Sequence, residues 1–138
     1  MAKEGATPTA VGIWRLVAAT ATAASGNRKD APYGPRDMGL VTLTADGRMM
    51  AVLVDGRKNL SHGAKRDYAS YCGNYTFDGS TLTTIVDAAS NPARMGSAQV
   101  RKVRFEGDRM ILMPPPTEVN GVKVQRELTW ERISPVSL

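Results

Sequence analysis

The stretch Leu40-Val41-Thr42-Leu43-Thr44-Ala45-Asp46-Gly47-Arg48-Met49-Met50-Ala51-Val52-Leu53-Val54 holds two apolar, partly β-branched runs parted by a short polar reversal. Asp-Gly supplies the positive φ that a tight hairpin turn needs, so the stretch predicts antiparallel strands over residues 40–44 and 49–54. The arrangement recurs twice downstream. Phe77-Asp78-Gly79-Ser80 parts residues 74–77 from 81–89, and Glu106-Gly107-Asp108-Arg109 parts 100–105 from 110–113. An opening strand over 12–22 and a last one over 124–133 bring the expected count to eight.

Longer, irregular connections lie between these units, over residues 23–37, 55–72, 90–98 and 114–123. Successive connections of a meander alternate between the two ends of the sheet, so the three tight turns fall at one end and the four long loops at the other. With eight strands the first and last run in opposite directions and can pair, which removes both exposed edges. The expected fold is therefore all-β, an eight-stranded antiparallel up-and-down barrel, sealed at the turn end and open at the loop end. Residues 64–71 have a composition compatible with a short helix over the mouth. The expected organisation is a disordered segment 1–10, a barrel over 11–134 and a tail 135–138.

Composition narrows the function. Of 138 residues, 42% are hydrophobic, enough for one folded core without disulfides or metal. Cys72 is the single cysteine, so neither an internal disulfide nor a multi-cysteine zinc site can form. No run reaches the length of a membrane span and no secretory leader is evident, so a cytoplasmic location and no membrane partner are expected. The net charge of +5 raises the question of nucleic acid, but the basic residues are scattered and the 6% aromatics do not interleave with them as a base-stacking surface requires. No nucleic-acid partner is expected. There is no glycine-rich phosphate loop, no nucleophile elbow, no paired metal-ligand histidine and no Cys-x-x-Cys, so no cofactor and no metal are expected either.

Alternation of strand side chains sorts the interior. Trp14, Leu16 and Ala18 form one row; Val124, Arg126, Leu128, Trp130 and Arg132 form another. Gln99, Arg101, Val103 and Phe105 share a face, which places the Arg101 guanidinium in an apolar row, where it requires a carboxylate or a bound anion. With Thr83, Ile85 and Asp87 inward, Asp87 is that partner; with Thr84 and Val86 inward, Asp87 points outward, and both parities stand. His62, the single histidine, lies in a long loop, either solvated or available for acid–base work. Tyr33, Tyr68 and Tyr71 suit the entrance, since tyrosine offers an apolar body and a hydroxyl. The expected ligand-binding set is Tyr33, Tyr71, Tyr75, Asp87, Asn91, Gln99, Arg101, Met113 and Arg126, with Arg101, Asp87, Tyr71 and His62 as candidates for catalysis. The long loops carry most of the positive charge, which favours an anionic guest.

Val11-Gly12-Ile13-Trp14-Arg15-Leu16 resembles the Gly-x-Trp opening of lipocalins and related calycin barrels, and Thr129-Trp130-Glu131-Arg132 resembles the last-strand arginine that covers that tryptophan. Thr44-Ala45-Asp46-Gly47-Arg48-Met49, Tyr71-Cys72-Gly73-Asn74-Tyr75, Asn91-Pro92 and Gln99-Val100-Arg101 look like the bacterial lipocalin-like domain group. That group often carries histidine about where this chain has Thr84 and Ile85, so histidine chemistry in that strand does not transfer. The resemblance implies binding of a small apolar or amphipathic molecule in the barrel. The alternative is a cofactor-free isomerase, cyclase or lyase acting on a small hydrophobic substrate in the same cavity, and a homodimer through the exterior is a further expectation.

Overall fold

The computed structural model describes residues 9–134. Ten strands make one antiparallel sheet: β1 (Gly12–Ala23), β2 (Arg28–Lys29), β3 (Asp37–Leu43), β4 (Arg48–Asp55), β5 (Tyr68–Phe77), β6 (Thr81–Ala89), β7 (Ala98–Glu106), β8 (Arg109–Met113), β9 (Thr117–Val119) and β10 (Val122–Arg132). Eight of them form the wall in the order β1-β3-β4-β5-β6-β7-β8-β10, and β1 pairs with β10 from Trp14 opposite Arg132 to Ala23 opposite Val124. The sheet has no free long edge, as the sequence predicts. The two-residue β2 and three-residue β9 lie beside β1 and β10 at the mouth. No helix among the described residues is long and apolar enough to cross a membrane.

The turns at residues 44–47, 78–80 and 107–108 close one end of the wall, and the connections over 24–36, 56–67, 90–97 and 114–121 gather at the other. At the turn end the core is filled. Trp14, Val41, Leu43, Leu82, Met110 and Trp130 are all buried there or just above it. Trp14 donates from Nε1 to the carbonyl of Ala10 at 2.9 Å, and the Arg132 guanidinium lies over its ring at 4.1 Å. Arg132 also donates to the carbonyls of Val11 and Thr9. Gly12 makes this arrangement fit, because a Cβ there would collide with the Arg132 guanidinium and its φ of 143° is one that L side chains rarely adopt. Ala10 belongs to the expected disordered segment, yet it is buried; residues 1–8 and the tail 135–138 lie outside the described residues.

Three local features depart from the sequence reading. Residues 64–71 form no helix: β5 begins at Tyr68, and 68–71 pair with β4 from Val54 opposite Tyr68 to Ala51 opposite Tyr71. Ladder bonds to a neighbouring strand outweigh a weak helical preference. In β1 the register against β10 shifts between Leu16 and Ala18, so Ala19, Ala21 and Ala23, rather than Ala18, are buried beyond that point. A second shift falls between Cys72 and Gly73: Gly73 sits opposite Val86 and Cys72 opposite Ala88, leaving Asp87 as the extra residue of β6. Leu82, Thr84 and Val86 are the buried residues of that strand, and Asp87 is exposed.

Candidate ligand-binding site

A cavity of about 640 Å³ opens at the loop end, within the range that accommodates a small organic ligand. Its lower wall is apolar, built from Val41, Met49, Ala51, Leu53, Leu112, Leu128 and Trp130, all delivered by one face of β3, β4, β8 and β10. Its upper wall is polar and mostly from loops or strand starts: Tyr33, Asp67, Tyr68, Arg94, Thr117 and, further along their strands, Tyr71, Arg101 and Arg126. The division follows from the fold. Strand centres far from water take Val, Leu and Met, whereas side chains reaching in at the rim can hold a charged head near solvent while burying an aliphatic stem.

The three arginines are placed by different means. Arg101 is an inward residue of β7, and Arg126 an inward residue of β10. Arg94 comes from the loop between β6 and β7, where Asn91 accepts a bond from the Ala93 amide and Pro92 starts a single 3₁₀ turn that ends at Arg94. Gln99 then ties two of them together. Its Oε1 accepts from Arg94 at 3.2 Å and from Arg101 at 3.1 Å, while its Nε2 donates to Ser97. Arg101 also donates to the carbonyl of Val100, Arg126 donates to Thr117 Oγ1, and the Arg94 guanidinium lies 5.4 Å from the centre of the Tyr71 ring. Among the described residues, none of the ion pairs involves Arg94, Arg101 or Arg126. Two like charges therefore share one neutral acceptor, a placement that an anion would stabilise.

Tyr33 reports the local field. Burial pushes its phenol above the ordinary tyrosine value; Arg94 and Arg101 pull it back down, and Tyr71 and Asp67 push it up. The phenol stays protonated at neutral pH, a donor beside two guanidinium groups.

Residues 11–133 match the lipocalin-like domain. The chain belongs to the lipocalin-like domain family. No curated protein and no solved structure matches it. Membership carries the barrel and ligand binding in general terms, and the site residues rest on the geometry of this chain.

Of the residues nominated from sequence, this lipocalin-like barrel places Tyr33, Tyr68, Tyr71, Arg101 and Arg126 on the cavity wall, with Gln99 behind two of the arginines. The others lie elsewhere. Asp87 does not meet Arg101: it sits on the outer surface, where Arg48 contacts it at 2.6 and 3.1 Å and Cys72 Sγ lies 3.5 Å away. Leu82, Thr84 and Val86 take the interior face, so alternation turns Asp87 outward, the second of the two parities that the sequence left open. Tyr75 belongs to the closed end, donating its hydroxyl to the Thr44 carbonyl at 2.6 Å. Asn91 caps the 3₁₀ turn instead of facing a ligand. Met113 follows the outward parity of β8, its sulfur 3.7 Å from exposed Arg104. His62 is exposed in the loop between β4 and β5 and does not line the cavity.

Sequence reasoning counted Arg94 and Asp67 among the loop charges at the mouth but nominated neither for binding, and it did not place Trp130 beside the cavity. Asn91-Pro92 signals a turn that aims the next residues, which is the cue for Arg94. Trp130 is 1% exposed, and its Nε1–H is a buried side-chain donor with no hydrogen-bond partner. Spacing alone marks Trp130 as core; only the cavity above it shows that it is also floor.

Proposed function

We propose that this lipocalin-like protein binds a small amphipathic anion, a carboxylate with an apolar body, with the carboxylate at Arg94, Arg101 and Arg126 and the body against the lower wall. The observation that carries the reading is the pair of guanidinium groups sharing Gln99 Oε1 without a carboxylate partner, directly above an apolar cavity. A carboxylate there accepts charge-assisted bonds from both arginines, and the tyrosine hydroxyls of Tyr33 and Tyr71 stand beside it.

Binding is favoured over the isomerase, cyclase or lyase alternative because the four candidate catalytic residues are divided. Arg101 and Tyr71 line the cavity, whereas Asp87 and His62 do not. Asp67, the carboxylate on the cavity wall, is in no ion pair or side-chain hydrogen bond with Tyr33, Tyr68, Tyr71 or a cavity arginine among the described residues, so no acid–base pair is set across the cavity there.

Titration with straight-chain carboxylates and with the corresponding alcohols, followed by calorimetry, tests the reading. The carboxylates are expected to bind, the alcohols at least tenfold more weakly, and Arg101→Leu is expected to weaken the carboxylate by about 10- to 100-fold while leaving the alcohol unchanged. Equal affinity for acid and alcohol removes the anion from the reading.

A further inference from the structure

The charged residues of the cavity wall are Arg94, Arg101, Arg126 and Asp67, a net charge of +2. Each arginine is half-buried, reachable from the cavity yet partly withdrawn from water, and none is in an ion pair among the described residues. Water and salt screen such charges less than they screen the open surface. The wall therefore holds an excess of two positive charges that the chain does not answer with a carboxylate.

Two of the three cations are adjacent. Arg94 and Arg101 reach Gln99 Oε1 at 3.2 and 3.1 Å, so their donor nitrogens are no more than about 6 Å apart. Arg126 stands at the same depth on another strand. The β7–β8 ladder ends with Lys102 opposite Met113 and the β8–β10 ladder with Leu112 opposite Leu128; continued, both registers set Arg101 and Arg126 opposite residue 114. Pro114 lines the cavity between them, and two strand spacings put their Cα atoms about 10 Å apart. Arg126 donates to Thr117 Oγ1 and takes no part in the Gln99 contact. Two separate cationic corners thus stand above Leu112 and Leu128, the next inward residues of β8 and β10.

From this we infer that the head group of the preferred ligand is a dianion: two negative charges spread over three or more acceptor oxygens, a chemistry that a succinate-type dicarboxylate and a phosphate monoester share. One part of the head meets Arg94 and Arg101, the other meets Arg126, and the apolar body runs down past Leu112 and Leu128. The inference rests on the anion-binding reading above and adds the charge of the head. A single carboxylate leaves one positive charge of the wall uncompensated, whereas a dianion balances the +2 set by three arginines and Asp67. Asp67 also limits the match, because a third negative charge on the ligand has no cation left to meet.

The test compares two pairs of ligands that share an octyl chain and differ in the second charge: octylsuccinate with its half-amide, and octyl phosphate with its methyl ester. Calorimetry at about pH 8 keeps the phosphate monoester doubly ionised. In at least one pair the dianion is expected to bind tenfold or more tightly than its singly charged partner, as added charge-assisted bonds to Arg126 require. The pair that shows the larger ratio tells dicarboxylate from phosphate. Arg126→Gln keeps a donor for Thr117 and removes the charge, and it is expected to bring that ratio to about two or less. The ratio is read within one protein, so a change in overall affinity or in folded fraction cancels. Ratios near one in both pairs, with octanoate still bound, overturn the inference and leave the anion site standing. A ratio that survives Arg126→Gln overturns it as well, because the second charge is then not read by Arg126. If neither octanoate nor any ligand of the two pairs binds, both readings fall.

Discussion

The two ends of the barrel use the same residue types to opposite effect. At the closed end Arg132 lies on the face of Trp14 and donates to backbone carbonyls, and Trp14 donates to Ala10, so the polar groups of this pair are answered by the chain itself. Around the cavity, Arg94 and Arg101 share one neutral oxygen, and neither is in an ion pair among the described residues. Residue identity does not separate a structural arginine from a binding one, since Arg132 lies over Trp14 and Arg94 over Tyr71. The completeness of the hydrogen bonding does, and it assigns stability to one end of the molecule and recognition to the other.

Substitution at the closed end should therefore have the larger effect on folding. Trp14→Ala removes a fully buried ring and exposes the stacked face of Arg132, and a loss of about 3–5 kcal/mol in denaturant unfolding is expected. Gly12→Ala should act in the same direction, since its Cβ displaces the Arg132 guanidinium. Ligand affinity per folded molecule should not change. If Trp14→Ala instead leaves stability within about 1 kcal/mol of the parent, the division between the two ends is wrong.

The cavity arginines sharpen the contrast from the other side. Arg101→Leu removes one of two like charges at Gln99 and should leave stability unchanged or raise it by up to about 1 kcal/mol. Added salt should stabilise the parent more than the variant, because screening relieves a repulsion that the variant lacks. A thermal-unfolding series in rising salt reads both. A clear loss of stability in the variant would mean that Arg101 is structural.

Why some of this was legible in sequence and some was not has a physical basis. Asp46-Gly47, Asp78-Gly79 and Gly107-Asp108 carry local turn chemistry, and the strands beside them have lengths set by their apolar runs, so count, order and closure follow. The Gly12, Trp14 and Arg132 cluster was legible because each residue type has a steric or electronic reason to be there. Parity in β6 was not legible, because Leu82, Thr84 and Val86 on one face and Thr83, Ile85 and Asp87 on the other both mix apolar and polar residues; after Asp87 an extra residue shifts the face again, at a place marked only by Gly73, whose Cβ would run into the Ile85 carbonyl. The start of β5 was missed because Tyr68-Ala69-Ser70-Tyr71 is held extended by pairing with β4, a long-range cause that composition does not register. Arg94 was not nominated for binding because its direction is set by a cap, not by a strand.

A smaller, pH-dependent difference should separate the ends as well. Asp55 is buried at the end of β4, where its carboxylate takes three contacts from the Arg57 side chain, the shortest at 2.6 Å, and one from the Arg57 amide. Arg66 reaches back from the same loop to the carbonyls of Asp55 and Arg57 at 2.6 and 2.5 Å, so the aspartate and the two arginines hold the lip of the mouth together. The bonds from Arg57 keep the Asp55 carboxyl below the ordinary carboxylate value. A group depressed in the folded state contributes stability that is complete above its unfolded-state pKa and disappears as pH falls through the folded one. The stability advantage of the parent over Asp55→Asn, measured by urea unfolding at successive pH values, should thus be constant near neutrality, shrink below the ordinary carboxylate range and vanish at still lower pH. No group of the closed-end cluster of Gly12, Trp14 and Arg132 is a carboxylate. On acidification the amides of residues 56–67 should therefore lose hydrogen-exchange protection before those of β10 beside Arg132. An advantage that persists undiminished in acid would show that the lip is held by packing, not by this charge.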